Sequence, residues 1–361
     1  MTFNPKIPYN DLPLLPPKRD VETKTILKKT ITARSALAEL KGLGETLPNP
    51  ALLVDSLILQ EAKASSEIEN IITTSDALFQ AFAAQTGQVD AATKEVLRYR
   101  EALWKGFNTL KTRPVLSTNL FIDIVQTIKE HSSGIRRMSG TAVVHAATGK
   151  VIYTPPEGET IIRDKLKNLQ DFIHGSDDID PLIKLALIHY QFEAIHPFSD
   201  GNGRAGRIIN ILFLVLNGLL DLPVLYLSKA IIEQKNDYYR LLRQVTEKDL
   251  WEPWILFMLK AVEDTAVFTR ERTLAIRALM AETMEKARKK LPARVYSKEL
   301  IELIFRQPYT KGQFLVDGGI AQRKTAAEYL KELEKIGILK AIKIGRESLF
   351  LNRKLYDLLS R

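Results

Sequence analysis

One segment of the 361-residue chain concentrates the residue types that phosphate chemistry uses. It runs from His196 to Arg207 and reads HPFSDGNGRAGR. Its glycines, Gly201, Gly203 and Gly206, allow sharp turns and let backbone N–H groups come close to an anion. The apolar residues that follow predict a helix, whose N-terminus carries unpaired N–H groups and the positive end of the helix dipole. The segment therefore predicts a phosphate-binding loop that leads into a helix.

Four charged or titratable side chains complete this loop. Arg204 and Arg207 are three residues apart on the first helical turn, so they should point the same way and bind phosphate oxygens through paired hydrogen bonds. Asp200 offers the hard oxygen ligand that Mg²⁺ prefers beside phosphates. His196 is the one side chain in the segment that can accept a proton near neutral pH.

Other interpretations of the loop fit less well. GNGRAG matches the G-x-G-x-x-G pattern of dinucleotide-binding folds, but that pattern follows a strand and here a helix is predicted; a Walker A sequence does not occur. With 0 cysteines and no H-E-x-x-H pair, a zinc site is disfavoured, and disulfides, iron–sulfur clusters and cysteine nucleophiles are excluded. The remaining histidines favour packing or capping roles: His131, His145, His174 and His189.

The composition, 45% hydrophobic and 26% charged, is typical of a globular protein, and the length favours at least two domains. We find neither a membrane-spanning apolar stretch nor a signal peptide and expect a soluble, cytoplasmic protein without membrane contact. The whole excess of the +9 net charge lies in residues 271–361, which hold 20 Lys and Arg against 11 Asp and Glu. This favours an acidic partner such as nucleic acid; a solvated basic surface is the alternative.

Helical periodicity dominates the chain, and we expect a mainly α fold. Prolines in the first 20 residues predict an extended arm. The periodic segments predict helices over 22–42, 52–68, 91–110, 117–130, 181–195, 208–220, 228–245 and 251–284. The exception lies around Gly149, where two β-rich runs, 141–145 and 151–154, predict a hairpin. So short a hairpin must pack on a helix or pair with an extended segment.

The loop sequence resembles the signature of the Fic family, HxFx(D/E)GNGRxxR, and matches it at every defined position. The resemblance implies a Fic-type helical bundle that transfers AMP from ATP to a protein hydroxyl and releases pyrophosphate. It would make His196 the general base and Asp200 the Mg²⁺ ligand. By the same resemblance, Arg204 would bind the β-phosphate and Arg207 the γ-phosphate. The other residues of the loop would also bind ATP or its phosphates: Gly201, Asn202, Gly203, Ala205 and Gly206.

Two further segments resemble parts of Fic proteins. The hairpin resembles the flap on which these enzymes dock their targets, which would make Lys150, Val151, Ile152 and Tyr153 the docking strand; an ordinary surface hairpin is the alternative. Tyr238 and Tyr239 resemble a segment near the adenine, where a ring could stack on the base. Packing is the alternative for these tyrosines.

The sequence SSEIEN at residues 65–70 matches (S/T)xxxE(G/N), the inhibitory motif of Fic proteins that carry an N-terminal inhibitor. Its defined positions are Ser65, Glu69 and Asn70. By resemblance, Glu69 would pair with Arg207 and keep it from the γ-phosphate. A carboxylate can do so because it binds a guanidinium through two hydrogen bonds.

The basic C-terminal segment predicts three helices and a hairpin, an order that resembles a winged helix-turn-helix domain. Its recognition helix would begin with four residues suited to DNA contacts: Gln322, Arg323, Lys324 and Thr325. Lys340, Lys343 and Arg346 would lie on the wing. Winged helices also bind proteins or dimerise, so DNA, a protein and a homodimer remain open.

Together these observations divide the chain into an N-terminal part with the inhibitory motif (1–90), a Fic core (91–284) and a winged-helix domain (285–361). We expect an autoinhibited protein adenylyltransferase that uses ATP and Mg²⁺ and modifies a Ser, Thr or Tyr hydroxyl of a target protein or of itself. Removal of AMP, transfer of another phosphate-containing group, and nucleotide sensing by a transcriptional regulator are the alternatives.

Overall fold

The computed structural model describes residues 3–45, 51–84, 89–132, 134–144, 148–344 and 347–360. Most of these residues are helical, as the sequence predicts. Their helices are α1 (Lys24–Glu45), α2 (Ala51–Ile68), α3 (Ser75–Ala84), α4 (Ala91–Thr112), α5 (Thr118–Lys129), α6 (Glu159–His174), α7 (Pro181–Ile195), α8 (Asn202–Leu216), α9 (Leu227–Glu233), α10 (Lys235–Lys248), α11 (Trp251–Lys290), α12 (Lys298–Leu303), α13 (Gly312–Asp317), α14 (Arg323–Lys335) and α15 (Arg353–Leu359). None of these described helices is long and apolar enough to cross a membrane.

Five short strands form two antiparallel sheets within the described ranges. In the first, β1 (Val143–Val144) pairs with β2 (Val151–Tyr153). In the second, β5 (Glu347–Leu351) lies between β3 (Tyr309–Thr310) and β4 (Lys340–Ile344). We predicted both hairpins but not β3, because a two-residue strand carries no periodic signal.

The centre of the fold is the pair α7 and α8, which pack against each other. Nearly every side chain of both helices is buried. Asp180 caps α7 by accepting a hydrogen bond from the Leu182 N–H at 2.8 Å, and Pro181 fits the first helical turn, where no N–H partner is needed. α7 ends at Ile195, and His196, the residue that follows, has left-handed backbone angles (φ 48°). The loop between these two helices is therefore anchored at the core.

The C-terminal part is joined to the rest by a continuous helix and by side-chain contacts. α11 runs through position 284, where we placed a domain boundary, and packs along α1. The Ser56 hydroxyl donates to the Arg306 carbonyl at 2.9 Å, and Tyr309 donates to the Asp76 carboxylate. α2 and α3 therefore contact the C-terminal helices and strands directly.

Two helix bounds differ from the sequence prediction in ways that matter for the site. α8 begins at Asn202, before the apolar stretch 208–220, so the second half of the glycine-rich loop is helical and includes Arg204 and Arg207, as their spacing predicted. The predicted helix 228–245 is two helices, α9 and α10, separated at Gln234. The C-terminal helices and hairpin have the predicted order, and the winged-helix assignment itself stays a prediction.

Candidate active site

A cavity of about 340 Å³ lies between the α7–α8 loop, the β1–β2 hairpin, the end of α2 and the first turns of α10. One side of it carries the polar residues of the loop together with Glu69. The other side is mostly aromatic and apolar, with Tyr153, Tyr190, Tyr239 and Leu242. Such a combination suits a ligand that has both an anionic and an aromatic part.

His196 lies on the cavity wall at the C-terminal end of α7. Burial lowers the pKa of its ring to about 4, and the cation of Arg136 acts in the same direction. A hydrogen bond to the backbone of Glu193 and the carboxylates of Glu69 and Asp200 oppose this shift. The ring is therefore unprotonated at neutral pH and available as a proton acceptor.

The side chain of Asn202 holds the loop in shape. Its Oδ1 accepts a hydrogen bond from the Phe198 N–H, and its Nδ2 donates to the Phe198 carbonyl, both at 2.8 Å. Gly201, at φ 80°, has the left-handed conformation that glycine adopts without strain. The N–H groups of residues 201–203 thus lie at the start of α8, as an anion site requires.

Glu69 binds both arginines of the loop. Its Oε1 accepts a hydrogen bond from Arg207 Nη2 at 2.8 Å, and its Oε2 accepts one from Arg204 Nε at 2.7 Å. Both arginine side chains are almost completely buried. We predicted the first contact from the motif, whereas the second was not expected.

The other two defined positions of the motif also have specific roles. Ser65 Oγ accepts a hydrogen bond from Arg207 Nε at 2.7 Å, and the Ser65 carbonyl accepts one from Nη2 at 2.8 Å. Asn70 follows α2 with φ 62°, a left-handed conformation that Asn and Gly tolerate best. This conformation explains why the motif ends in glycine or asparagine.

Two residues that the sequence analysis missed extend the network. Glu95 of α4 accepts hydrogen bonds from Arg204 Nη1 at 2.6 Å and from Lys129 Nζ at 2.7 Å. Lys129 Nζ also lies 2.6 Å from Asp200 Oδ2. Burial by itself would raise the pKa of Asp200, but the hydrogen bond from Lys129 holds this pKa below its usual value. No local sequence pattern links residues 95 and 129 to the loop.

The hairpin lies beside the cavity, with Val143, Ile152 and Tyr153 on its wall. β2 begins at Val151, so Lys150, which we included in the docking strand, lies just outside it. Tyr153 donates from its hydroxyl to the Ala194 carbonyl at 2.7 Å, which joins the hairpin to α7. His145 lies outside the described residues.

The N-terminal arm runs beside the exit of this hairpin. The Tyr9 N–H donates to the Thr154 carbonyl at 3.0 Å, and Thr154 Oγ1 donates to the Pro5 carbonyl at 2.7 Å. Phe3, on the cavity wall, stacks on Tyr153 with ring centroids 6.1 Å apart. The arm therefore forms part of the site.

Three of the predicted ligand contacts, Ala205, Gly206 and Tyr238, have a different environment from the one we expected. Ala205 and Gly206 are buried in α8 and do not line the cavity; a Cβ on Gly206 would lie 2.6 Å from Glu193 Oε1, so this glycine permits helix packing. Tyr238 lines the cavity but is buried, and its hydroxyl lies 2.8 Å from His189 Nε2. Tyr239 is 41% exposed and lines the cavity, so it is the better candidate for stacking.

The predicted nucleic-acid contacts lie elsewhere, at the start of α14. Gln322, Arg323 and Lys324 are exposed there, and Thr325 is partly buried. Lys340 and Lys343 are exposed on β4. Arg346 lies outside the described residues.

Comparison with family models matches three parts of the chain. The model for the Fic/DOC family N-terminal region matches residues 27–108, and the Fic/DOC family model matches residues 115–214. A third model, "Protein adenylyltransferase SoFic-like, C-terminal domain", matches residues 279–355. The two Fic/DOC models together match just over half of the chain.

Similar curated proteins are larger than the shared region. Protein adenylyltransferase fic-1 of Caenorhabditis elegans is 30% identical over 113 residues, which are 31% of this chain and 21% of that protein. A probable protein adenylyltransferase of Aquifex aeolicus (strain VF5) is 31% identical over 126 residues, 35% of this chain and 30% of that protein. The chain thus spans about a fifth to a third of the curated relatives it matches.

Solved structures share the fold over a larger part of the chain. A Fic family protein from Desulfovibrio desulfuricans G20 matches 90% of this chain and 95% of its own, with a TM-score of 0.56 and 19% identity. Fic-1 from C. elegans matches 71% of this chain and 75% of its own, with a TM-score of 0.53 and 17% identity. At these identities the likeness concerns the fold.

Proposed function

Because the chain belongs to the Fic/DOC family, we propose that it transfers AMP from ATP to a Ser, Thr or Tyr hydroxyl of a protein, its own surface included. The relatives named protein adenylyltransferase support this reaction. One observation carries the proposal: a neutral His196, Glu69 and the buried Arg207 line the same cavity, and the carboxylate of Glu69 binds both Arg207 and the neighbouring buried Arg204.

In this reaction the acceptor oxygen bonds to the α-phosphorus, the bond from that phosphorus to the bridging oxygen breaks, and pyrophosphate leaves. His196 accepts the proton of the hydroxyl. Its pKa near 4 makes it a weak base while Glu69 is paired and no nucleotide is bound. The negative charge of a triphosphate raises the pKa of a nearby ring and so strengthens the base.

Three groups of this chain bind the phosphates in the proposal. The N–H groups at the start of α8 bind one anion, and the two arginines bind the β- and γ-phosphates once Glu69 has left them. Arg204 is oriented by Glu95, which pairs with Nη1, and by Asp200, whose Oδ1 lies 3.7 Å from Nη2; its Nε becomes available to phosphate when Glu69 leaves. The aromatic side of the cavity receives the base, against Tyr239.

Asp200 fits the Mg²⁺ that the family resemblance implies. Its side chain is 58% exposed at the cavity edge, where it now pairs with Lys129. In the described parts of the chain no three His, Cys, Asp or Glu residues form a metal site, so one carboxylate would share the ion with phosphate oxygens, as is common for Mg²⁺. Bound there, the ion would neutralise charge on the phosphates.

Inhibition by Glu69 is part of the same proposal. The carboxylate occupies the guanidinium groups that the triphosphate needs, so Glu69 and the γ-phosphate compete for Arg207. The experiment is transfer of label from ATP with its tracer on the α-phosphate, using wild type, Glu69→Gly, and Glu69→Gly combined with His196→Ala. Glu67→Gly is the matched control, because Glu67 lies two residues before Glu69, in the last turn of α2, and forms an ion pair only with Lys63 among the described residues.

Strong labelling of Glu69→Gly alone is the expected result. Labelling of Glu67→Gly to the same extent would assign the effect to a weakened α2 and not to the carboxylate. If Glu69→Gly binds ATP but transfers no label, forward transfer is excluded. Removal of AMP from a modified protein by wild type, lost in Glu69→Gly, would then identify the alternative in which Glu69 positions a water.

A second function, binding of nucleic acid, is favoured by the charges at α14 and β4. Arg323, Lys324, Lys340 and Lys343 are exposed, and in the described ranges no acidic side chain pairs with them. Unpaired surface cations are available to phosphates. Double-stranded DNA should be retained by wild type and released steeply as salt rises, and Arg323→Ala with Lys324→Ala should reduce this salt dependence. Lys289→Ala, on the exposed end of α11, is the control.

A further inference from the structure

Arg136 donates hydrogen bonds to backbone carbonyls around the catalytic loop. Its Nε donates to the His196 carbonyl at 2.8 Å, and its Nη2 donates to the Ile195 carbonyl at 3.3 Å. The same Nη2 donates to the Pro156 carbonyl. Its own backbone N–H donates to the Pro197 carbonyl at 3.0 Å.

These contacts join two structures that are distant in sequence. Arg136 precedes β1, and Pro156 follows β2, so the contact between them closes the base of the hairpin. The carbonyls of residues 195–197 belong to the end of α7 and to the turn that begins the loop. One side chain therefore holds the hairpin and the left-handed turn at His196 together.

Without those hydrogen bonds, burying the side chain of Arg136 would cost free energy. The residue is 7% exposed, and among the described residues no carboxylate forms an ion pair with it. A buried guanidinium is tolerated when carbonyls satisfy its donors, and arginine donates here from two separate nitrogen atoms in fixed directions, which the single ammonium nitrogen of lysine cannot reproduce.

We propose that Arg136 is a positioning residue that fixes the ring of His196 relative to the hairpin, so that the proton acceptor and the docking strand keep one relative orientation. This rests on the proposed reaction for its kinetic consequence. Its structural consequence, the environment of the His196 ring, can be measured in protein that transfers nothing.

The first test follows the His196 ring by NMR titration in wild type, Arg136→Met, Arg136→Lys and Arg137→Met, with the signal assigned by its absence in His196→Ala. Arg137→Met is the matched control, because the neighbouring arginine is 78% exposed and pairs with Glu159. The groups that face His196 and remain in all variants are Glu69, Asp200 and the backbone of Glu193.

Arg136→Met should raise the pKa of His196 towards its ordinary value. The substitution removes a cation close to the ring, and the ring is no longer held in its buried position. Arg137→Met should leave it unchanged. Arg136→Lys should keep it low, since the charge stays close. An unchanged titration in Arg136→Met would overturn the proposal. If Arg136→Met fails to fold, Arg136→Lys with the kinetic test below decides.

The second test measures self-labelling and ATP binding in the Glu69→Gly background. Arg136→Lys should slow transfer on the order of 10- to 100-fold, because a misplaced base costs that much, while the Kd for ATP stays unchanged. Full activity of Arg136→Lys would show that charge suffices and would overturn the positioning role. If Glu69→Gly itself transfers no label, the proposed reaction is excluded, and the titration of His196 alone then tests the positioning role of Arg136.

Discussion

Glu69 Oε1 lies 2.8 Å from Arg207 Nη2, while the other oxygen of the same carboxylate lies 2.7 Å from Arg204 Nε. The two arginines are three residues apart and share one face of α8. A single carboxylate therefore occupies hydrogen-bond donors of both arginines of the proposed phosphate site, and Glu95 supplies a second carboxylate to Arg204. Replacing Glu69 should therefore change the affinity for the triphosphate by a larger factor than the loss of one ion pair at the protein surface would.

Ser65 should contribute to this inhibition through Arg207. Ser65→Ala removes the hydroxyl that accepts from Arg207 Nε at 2.7 Å but leaves Glu69 in place. A hydrogen bond to a charged group contributes about 1.5–3 kcal/mol, so ATP should bind more tightly than to wild type, but less tightly than to Glu69→Gly. Calorimetric titration with ATP measures this order.

Ser66→Ala is the control for this prediction. Ser66 is equally buried, but its hydroxyl has no hydrogen-bond partner within the described residues. Its replacement should leave ATP affinity unchanged. Equal effects of the two alanines would mean that the hydroxyl of Ser65 does not hold Arg207.

The structural features that could be predicted from the sequence are those whose geometry is local. Arg204 and Arg207 share a face because helical spacing requires it, and the apolar stretch after them marks α8. The contact of Glu69 with Arg207 spans 138 residues and was expected only from resemblance to a family motif.

The residues that were missed come from other elements and carry no local pattern. Glu95 and Lys129 reach the loop because α4 and α5 both pack on α8, and no spacing in either helix reveals that arrangement. Gly206 was assigned to phosphate because a glycine that admits an anion and a glycine that admits a neighbouring helix look alike in sequence.

Asn202 should stabilise the loop and hence the fold. Asn202→Ala leaves the N–H and the carbonyl of Phe198 without their partner in a buried position, which should lower the free energy of unfolding by about 1–3 kcal/mol. Asn217→Ala is the control, because Asn217 makes one hydrogen bond at the exposed other end of α8. Urea unfolding of both variants checks this; an equal, small effect would contradict a bracing role for Asn202.

Glu193 should make stability depend on pH. Burial raises the pKa of its carboxyl to about 7, with Arg207 acting against this and Glu69 in its favour. Between pH 4.5, the ordinary pKa of a glutamate, and pH 7, the unfolded chain releases a proton that the folded chain keeps, so this group lowers stability as pH rises through that window. Glu193→Gln removes the effect.

The expected result is that Glu193→Gln stabilises the protein at pH 8 but hardly at pH 5. Since one pKa unit corresponds to about 1.4 kcal/mol, the gain at pH 8 should be on the order of 1–3 kcal/mol. Urea unfolding at both pH values measures it, with Glu67→Gln as the exposed control. The same gain at pH 5 would show that burial does not shift the titration of Glu193.

Two glycines in helices should respond in opposite ways to alanine. A Cβ on Gly206 would lie 2.6 Å from Glu193 Oε1 and 3.2 Å from Phe192 Cδ1, so Gly206→Ala displaces the Glu193 carboxylate and crowds the buried Phe192 ring, which should cost about 1–3 kcal/mol. Gly42 in α1 has open space, and Gly42→Ala should gain about 0.5–1 kcal/mol because alanine loses less backbone freedom in a helix. Thermal unfolding of both variants tests the pair. Tolerance of alanine at position 206 would mean that the side chains of Glu193 and Phe192 make room for the added methyl group.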